Sequence, residues 1–144
     1  MKLFTIGFTR TSAERFFDRL RRAKIGSLVD VRLNNVSQLA GFAKRDDLRY
    51  FTRELVHVPY VHRPELAPTQ ELLDAFKKNA GGWDEYERAF LDLMAARRVH
   101  EALSRDQLDG ACLLCSEAEP HHCHRRLVAE HLRRAWDDVD IVHL

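Results

Sequence analysis

The chain has 144 residues, which is the size of a single domain. Its hydrophobic fraction of 45% and charged fraction of 31% are those of an ordinary globular protein. The formal net charge of +1 does not favour a bulk nucleic-acid binder, which carries a strong basic excess, although a local basic patch can still contact nucleic acid.

The sequence does not predict a membrane or secreted protein. No apolar run approaches the roughly 18 residues of a membrane span, and the apolar part of the N-terminus is too short for a signal peptide. The three cysteines are an odd number, which disfavours a disulfide framework. We therefore expect a cytoplasmic protein with reduced thiols and no membrane partner.

Apolar periodicity predicts strands and helices in alternation. The strands are predicted at residues 3–6, 27–32, 56–61, 110–115 and 140–144. The helices are predicted at residues 11–25, 44–55, 69–76, 83–103 and 122–135. The first helix starts at a capping box formed by Thr11 and Glu14 and ends at Gly26. A turn is expected over residues 34–41, and a glycine break over residues 81–82.

This alternation predicts an α/β fold. We expect one domain spanning residues 1–144, built in three layers with a mainly parallel sheet and helices on both faces. In such sheets, ligands bind beyond the carboxyl ends of the strands. Polar or reactive residues follow the predicted strands at that edge: Thr9, Asp30, Arg32, His62, Glu65, Cys115 and Glu117. Their convergence predicts a site there.

The stretch from Cys112 to Arg125 carries the densest chemistry. It contains all three cysteines and three of the eight histidines, together with Glu117 and Glu119. Because a strand is predicted before it and a helix after it, thiols, imidazoles, carboxylates and a guanidinium fall on one strand–loop–helix turn. That composition suits either catalysis or a metal ion.

Ordered motifs along the chain resemble the DUF488 family, a domain of unknown function. They are Thr5-Ile6-Gly7, Leu28-Val29-Asp30-Val31-Arg32, Tyr60-Val61-His62 with Pro64-Glu65-Leu66, Leu114-Cys115-Ser116-Glu117 with Pro120, and Cys123-His124-Arg125 with Ala129-Glu130. The resemblance spans residues 5–143. It implies a compact α/β domain with a cluster at Asp30, Arg32, Cys115, Glu117 and Cys123-His124-Arg125, but no established activity. The chain departs from the commoner pattern at Phe8-Thr9 and Leu66-Ala67-Pro68, where the family often has His-Ser and Leu-Gly-Gly, so the loops expected to contact a ligand differ.

Arg32 and Arg125 are the candidate anion-binding residues. Asp30 and Arg32 share one face of the predicted strand. They form either an ion pair or a clamp in which the carboxylate holds the guanidinium for a phosphate or carboxylate ligand. Arg125 lies at a predicted helix start, where free N–H groups also favour anions; the alternative is a solvated surface arginine. The remaining ligand-binding candidates are Thr9, Glu65, Cys123 and His124.

Cys115, Glu117, His62 and Asp30 are the candidate catalytic residues. Cys115 is a nucleophile if nearby positive charge stabilises its thiolate, and otherwise a small buried apolar residue. Glu117 can act as an acid or base, or instead pair with Arg125. His62 can move protons near neutral pH, or instead bond to the backbone. Asp30 would support the acid–base step.

No metal or cofactor is expected, and zinc is kept as an alternative. Cys115, Cys123 and His124 supply thiolate and imidazole ligands of the kind that zinc prefers. However, Cys112 and Cys115 lie on a predicted strand and point to opposite faces, unlike the cysteine pairs of zinc knuckles. Cys112 is therefore expected in the core.

Two functions fit these residues. The first is an enzyme acting on a small anionic or phosphate-bearing substrate, such as a nucleotide or a nucleic-acid end, with Arg32 and Arg125 binding the anion. The second is a non-catalytic module that uses the same pocket to sense a ligand or dock a partner. An enzyme needs a group that reacts with the ligand, whereas a binder needs only the arginines. The sequence leaves this choice open.

Overall fold

The computed structural model describes residues 1–36, 40–78 and 82–144. Its strands are β1 (Lys2–Gly7), β2 (Ser27–Asp30), β3 (Tyr60–His62), β4 (Ala111–Cys115) and β5 (Asp140–His143). All strand pairs are parallel, and the sheet order is β3-β2-β4-β1-β5. This confirms the predicted α/β fold with a parallel sheet.

Helices link the strands and cover both faces of the sheet. They are α1 (Ala13–Ala23), α2 (Arg45–Phe51), α3 (Gln70–Lys77), α4 (Gly82–Arg97), α5 (Val99–Ala102), α6 (Arg105–Leu108) and α7 (His124–Trp136). Shorter turns of helix lie at Gly41–Ala43, Thr52–Val56 and Pro64–Leu66. None of the helices in the described residues is long and apolar enough to cross a membrane.

The sheet separates two hydrophobic clusters. One contains Phe16, Phe17 and Leu20 of α1 with strand residues such as Cys112. The other contains residues of α4 and α7, such as Phe90, with strand residues that include Cys115. Because side chains alternate along a strand, β4 contributes Cys112 to one cluster and Cys115 to the other. Cys112 is therefore a core residue, as expected.

The start of α1 differs from the prediction by one residue. Ser12, and not Thr11, is the N-cap, and its hydroxyl accepts from the Arg15 N–H at 3.2 Å. The Thr11 hydroxyl instead accepts from the Arg19 guanidinium at 3.4 Å. Adjacent hydroxyl residues offer the same local cap, and a side-chain contact from the next turns of the helix decides between them. The helix also ends earlier, at a left-handed Lys24, rather than at Gly26.

Two other predicted elements are wrong in extent. The third strand was predicted from Val56, but Thr52–Val56 is a wide helical turn, and the strand begins at Tyr60. Between them His57 adopts a positive φ of 62°, which reverses the chain. The helix predicted over residues 83–103 is interrupted at Arg98, whose φ is 52°. In each case the apolar pattern continues across a residue with positive φ, and the pattern does not predict that change of backbone conformation.

Further element boundaries differ from the prediction or lie partly outside the residues that the structure describes. Helix α6 follows a capping box of Ser104 and Gln107 that the sequence analysis did not use. The second strand ends at Asp30, two residues before its predicted end. The turn predicted over residues 34–41 and the glycine break predicted over residues 81–82 extend outside the described residues, at 37–39 and 81.

Candidate functional site

The carboxyl ends of four strands meet at one edge of the sheet. Gly7 of β1 pairs with Cys115 of β4, and Asp30 of β2 pairs with Leu114 of β4 and with His62 of β3. The parallel register therefore brings Asp30, His62 and Cys115 to the same edge, as the sequence analysis expected of this fold.

A buried polar network centres on Asp30, which has no exposed surface. Its carboxylate accepts from Arg32 Nε at 2.9 Å and Nη2 at 2.8 Å, and from the Tyr60 hydroxyl at 2.5 Å. Burial, followed by the hydrogen bond to the Asp30 carboxylate, raises the pKa of Tyr60 above its ordinary range. A carboxylate at this depth requires such partners. The predicted Asp30–Arg32 ion pair is thus present, and it fixes the orientation of Arg32.

Arg32 makes contacts beyond its ion pair with Asp30. Its Nη2 also donates to the Ala43 carbonyl at 2.8 Å, and its guanidinium lies 5.1 Å from the centre of the Phe8 ring. By contrast, Nη1 is buried without a hydrogen-bond partner among the described residues. Arg32 also lines a small pocket, described below.

Cys115, Cys123 and His124 form the chemical centre of this edge, and we call them the thiol–imidazole cluster. Cys115 ends β4, Cys123 is the N-cap of α7, and His124 is the first residue of that helix. The Sγ atoms of Cys115 and Cys123 are joined in a disulfide, contrary to the expectation of reduced thiols, and Cys115 Sγ is 3.6 Å from His124 Nδ1. All three side chains are buried.

The hydrogen bond of His124 Nε2 determines which ring nitrogen carries the proton. Its Nε2 lies 2.7 Å from the Val31 carbonyl oxygen, which can only accept, so Nε2 carries the proton. Nδ1 therefore presents a lone pair to Cys115. Burial lowers the pKa of His124 to about 4, so the ring is neutral at pH 7.

Arg125 supports the loop between β4 and α7 from beneath. It has no exposed surface, and its Nη1 and Nη2 donate to the carbonyls of Glu117 and Ala118 at 2.5 and 3.3 Å. Burial lowers the pKa of Arg125 to about 10, which leaves it charged at pH 7. A Cβ at Gly7 would overlap the Glu117 carbonyl, so this close approach requires glycine. Arg125 thus positions the loop through its carbonyls.

A pocket of about 430 Å³ opens over the thiol–imidazole cluster, and we call it the aromatic pocket. Its lining residues are Leu73, Phe76, Lys77, Trp83, Tyr86, Cys115, Ser116, Glu117, His122, Cys123 and His124. Trp83 stacks on Tyr86 and on His122, with ring centres 5.2 and 4.9 Å apart. Planar faces with polar groups at one end are suited to a ring-bearing ligand.

A second pocket of about 220 Å³ adjoins the first, and we call it the arginine pocket. It is lined by Arg32, Leu33, Asn34, Pro68, Leu73, Ser116 and His124. Leu73, Ser116 and His124 also line the aromatic pocket. The two pockets therefore share part of their lining, which includes His124, and we call the two together the groove.

Other predicted residues take different positions. Thr9 lines a separate pocket with Arg10, Arg15 and Arg19. His62 Nε2 lies 2.8 Å from the Arg32 carbonyl, which is the backbone contact kept open as an alternative. Glu65 lies 3.7 Å from Arg63. Glu117 is exposed at the mouth of the aromatic pocket, and its carbonyl, not its carboxylate, contacts Arg125. Their roles in function stay predictions.

The sequence did not predict that aromatic residues line the site. Phe76, Trp83 and Tyr86 lie at helical spacing on α3 and α4, and this pattern predicts core residues. His122 was expected on the loop surface, where it is exposed but stacked on Trp83. The only signal of a site was the proximity of several rings to a glycine pair, which is a weak one.

Comparison with protein families gives a match to the model of the DUF488 family, described as a domain of unknown function, over residues 12–132. The match includes the thiol–imidazole cluster and most of the groove. No curated protein and no solved structure is significantly similar to the chain.

Proposed function

The chain belongs to the DUF488 family, and we propose that it is an enzyme acting on a small, ring-bearing anion in the groove at its sheet edge. One observation carries this proposal: the thiol–imidazole cluster forms part of the groove wall, and His124 lines both of its pockets. Reactive groups placed between two complementary subsites are what a catalytic site requires.

The two pockets support a specific substrate class. The aromatic pocket has the volume of a small-ligand site and offers Trp83 and His122 as stacking faces. Arg32 and the exposed Asn34 line the arginine pocket, and Arg32 Nη1 is buried without a hydrogen-bond partner among the described residues. A planar ring in the first pocket and a phosphate or carboxylate in the second would satisfy both. Nucleotides and aryl phosphates have this composition.

The cluster favours an enzyme over a pure binding module. A binder needs only the stacking faces and Arg32, yet Cys115, when reduced, adds a thiol whose sulfur lies 3.6 Å from the lone pair of His124 Nδ1. The Val31 carbonyl orients the imidazole for this contact. An oriented base beside a thiol can take up a proton and expose a reactive sulfur. Glu117 at the mouth of the pocket is a further proton acceptor.

A thermal-shift screen tests the substrate class. We expect nucleoside monophosphates or aryl phosphates to raise the melting temperature, because a ligand at about 100 times its Kd stabilises the native state by about 2.7 kcal/mol. Inorganic phosphate and ring-free carboxylates should have smaller effects. His122→Ala should weaken binding about 2- to 10-fold through the lost stacking face, and Arg32→Lys should reduce the preference for anionic over neutral ligands.

Tyr50→Ala is the matched control, because Tyr50 is an exposed aromatic residue of α2, away from the groove. Turnover is then measured by mass spectrometry of the bound ligands. We expect product with the wild type and none with Cys115→Ser, while ligand affinity changes less than about threefold. Ligands that bind and never change would contradict the enzyme, and equal losses in His122→Ala and Tyr50→Ala would contradict the site.

A further inference from the structure

We propose that, once the Cys115–Cys123 disulfide is reduced, Cys115, Cys123 and His124 bind one zinc ion, whose fourth coordination position opens into the aromatic pocket. The metal site itself does not depend on the proposed function, because it can be occupied without turnover. Its catalytic role does rest on that function, and because zinc would occupy Cys115 Sγ and His124 Nδ1, a zinc-bound water would replace the thiol and the imidazole as the reacting group.

The three ligand atoms are close enough together to share one metal ion. The two Sγ atoms and the imidazole nitrogen all lie within 4.8 Å of one another. In a tetrahedral zinc site with the usual bond lengths, neighbouring sulfur and nitrogen ligands lie about 3.6 Å apart. Cys115 Sγ and His124 Nδ1 are separated by 3.6 Å. The side chains are buried, which protects a soft ligand set from water.

The orientation of His124 matches that of a metal ligand. Metal-binding imidazoles almost always donate their other ring N–H to a carboxylate or a backbone carbonyl. His124 makes this contact from Nε2 to the Val31 carbonyl at 2.7 Å, which leaves Nδ1 as the atom that faces the sulfurs. The tautomer that zinc requires is therefore set by the protein before the ion binds.

The distance between the two cysteine backbones also suits a shared ion. The Cα atoms of Cys115 and Cys123 are 7.2 Å apart. Disulfides usually span about 4.4 to 6.8 Å between Cα atoms, and wider pairs need backbone movement. A metal ion between two thiolates lengthens the connection between the two cysteines, so no backbone movement is needed. The loop between the cysteines is held in place by Arg125.

Three protein ligands indicate a catalytic and not a structural ion. Structural zinc sites have four protein ligands, whereas catalytic sites keep the fourth position for water or substrate. All three ligands line the aromatic pocket, so the open position faces the proposed substrate. Bound zinc lowers the pKa of water to about 7. In hydrolysis, that water would give a proton to Glu117, the hydroxide would form the new bond, and the leaving group would take the proton as its bond breaks.

Cobalt titration of the reduced, chelator-treated protein tests the site. We expect one equivalent per chain, with a sulfur-to-cobalt charge-transfer band and the intense visible bands of tetrahedral cobalt, both removed by zinc. Cys115→Ser and Cys123→Ser should each lose the charge-transfer intensity and bind zinc at least about 100-fold more weakly. His124→Gln should weaken binding similarly.

Cys112→Ala and His131→Gln are the matched controls, because Cys112 belongs to the opposite core cluster and His131 lies further along α7. Both should keep the wild-type stoichiometry and spectrum. A second readout needs no variant: zinc should protect two thiols of the wild type from a thiol reagent, and a chelator should release them. The proposal is overturned if wild-type protein gives no band and no protection, or if Cys112→Ala loses the band as Cys115→Ser does.

The same data separate this inference from the proposed function. Zinc bound at the cluster with no turnover of any ligand leaves the metal site standing and contradicts the enzyme. Turnover that persists undiminished in metal-free protein overturns the catalytic ion and leaves the thiol and imidazole as the reacting groups.

Discussion

At the scale of single residues, Asp30 organises the edge of the sheet. Its buried carboxylate is bonded to Arg32 and Tyr60, and its own backbone carbonyl accepts from the Arg63 N–H at 2.9 Å. The catalytic role predicted for Asp30 stays a prediction. What its contacts support is a positioning role, because they hold the guanidinium of Arg32, a residue that lines the arginine pocket.

Tyr60→Phe should therefore lower the stability of the protein near neutral pH. Loss of a hydrogen bond to a buried carboxylate costs about 1.5–3 kcal/mol. The pKa of Tyr60 is raised in the folded state, so its contribution is fully present below about pH 10, the unfolded value, and is lost as pH rises further. Urea unfolding at about pH 8 and about pH 11 should show the difference between variant and wild type becoming smaller.

Tyr50→Phe is the control for this experiment, because Tyr50 is exposed. Its stability should stay within about 0.5 kcal/mol of the wild type at both pH values. A Tyr60→Phe difference that grows with pH would contradict the proposed contact between Tyr60 and Asp30.

At the scale of elements, the connection between β4 and α7 forms the candidate site. Cys115 comes from the last position of β4, and Cys123 and His124 come from the first positions of α7. The loop between β4 and α7 approaches Gly7 of β1, and Arg125 donates a hydrogen bond to the Glu117 carbonyl of this loop. The relative positions of the thiols and the imidazole therefore depend on Arg125 as well as on the two elements.

Arg125→Lys should loosen this loop without unfolding the sheet. Lysine cannot donate in the two-pronged geometry that reaches both carbonyls, and a loss of about 1.4 kcal/mol corresponds to roughly tenfold more frequent opening. Glu117 and Glu119 are exposed on the loop, so cleavage there by a glutamate-specific protease should become about 10-fold faster. Circular dichroism verifies that the fold is retained.

Arg133→Lys provides the matched comparison, since Arg133 is exposed on the same helix. Its cleavage rate should equal that of the wild type. Unchanged cleavage in a folded Arg125→Lys protein would show that the loop is held by other contacts.

At the scale of the whole molecule, the sheet divides the core into a half that supports the site and a half that does not. Phe90 of α4 is fully buried, with its ring centre 5.5 Å from that of His124. Phe16 of α1 is equally buried in the other cluster. Replacing each phenylalanine by leucine therefore tests the two core clusters separately, one on each face of the sheet.

Phe90→Leu and Phe16→Leu should each destabilise the protein by about 1–2 kcal/mol. Because they are separated by the sheet, the double variant should be additive within about 0.5 kcal/mol. Only Phe90→Leu should weaken cobalt binding, by allowing the His124 ring to shift. Urea unfolding and the cobalt titration measure both effects, and equal loss of affinity in Phe16→Leu would contradict this division.

The fold class was predictable because it depends on local patterns that repeat along the chain. Alternating strand and helix periods indicated a parallel sheet, and parallel strands bring their carboxyl ends to one edge. That is why Asp30, His62 and Cys115 were correctly placed together. Positions such as His57 and Arg98 were not predictable, since a single left-handed residue reverses the chain without changing the apolar pattern.

The sequence by itself therefore determined the sheet, its reactive edge and the residue types available there. Only the tertiary structure decided which of them meet. It turned Arg125 inward to the loop carbonyls, directed His62 to the backbone, and placed Trp83 and Tyr86 over Cys115 and His124. The physical reason is that these contacts join segments distant in sequence, so they depend on how helices dock on the sheet and not on any local period.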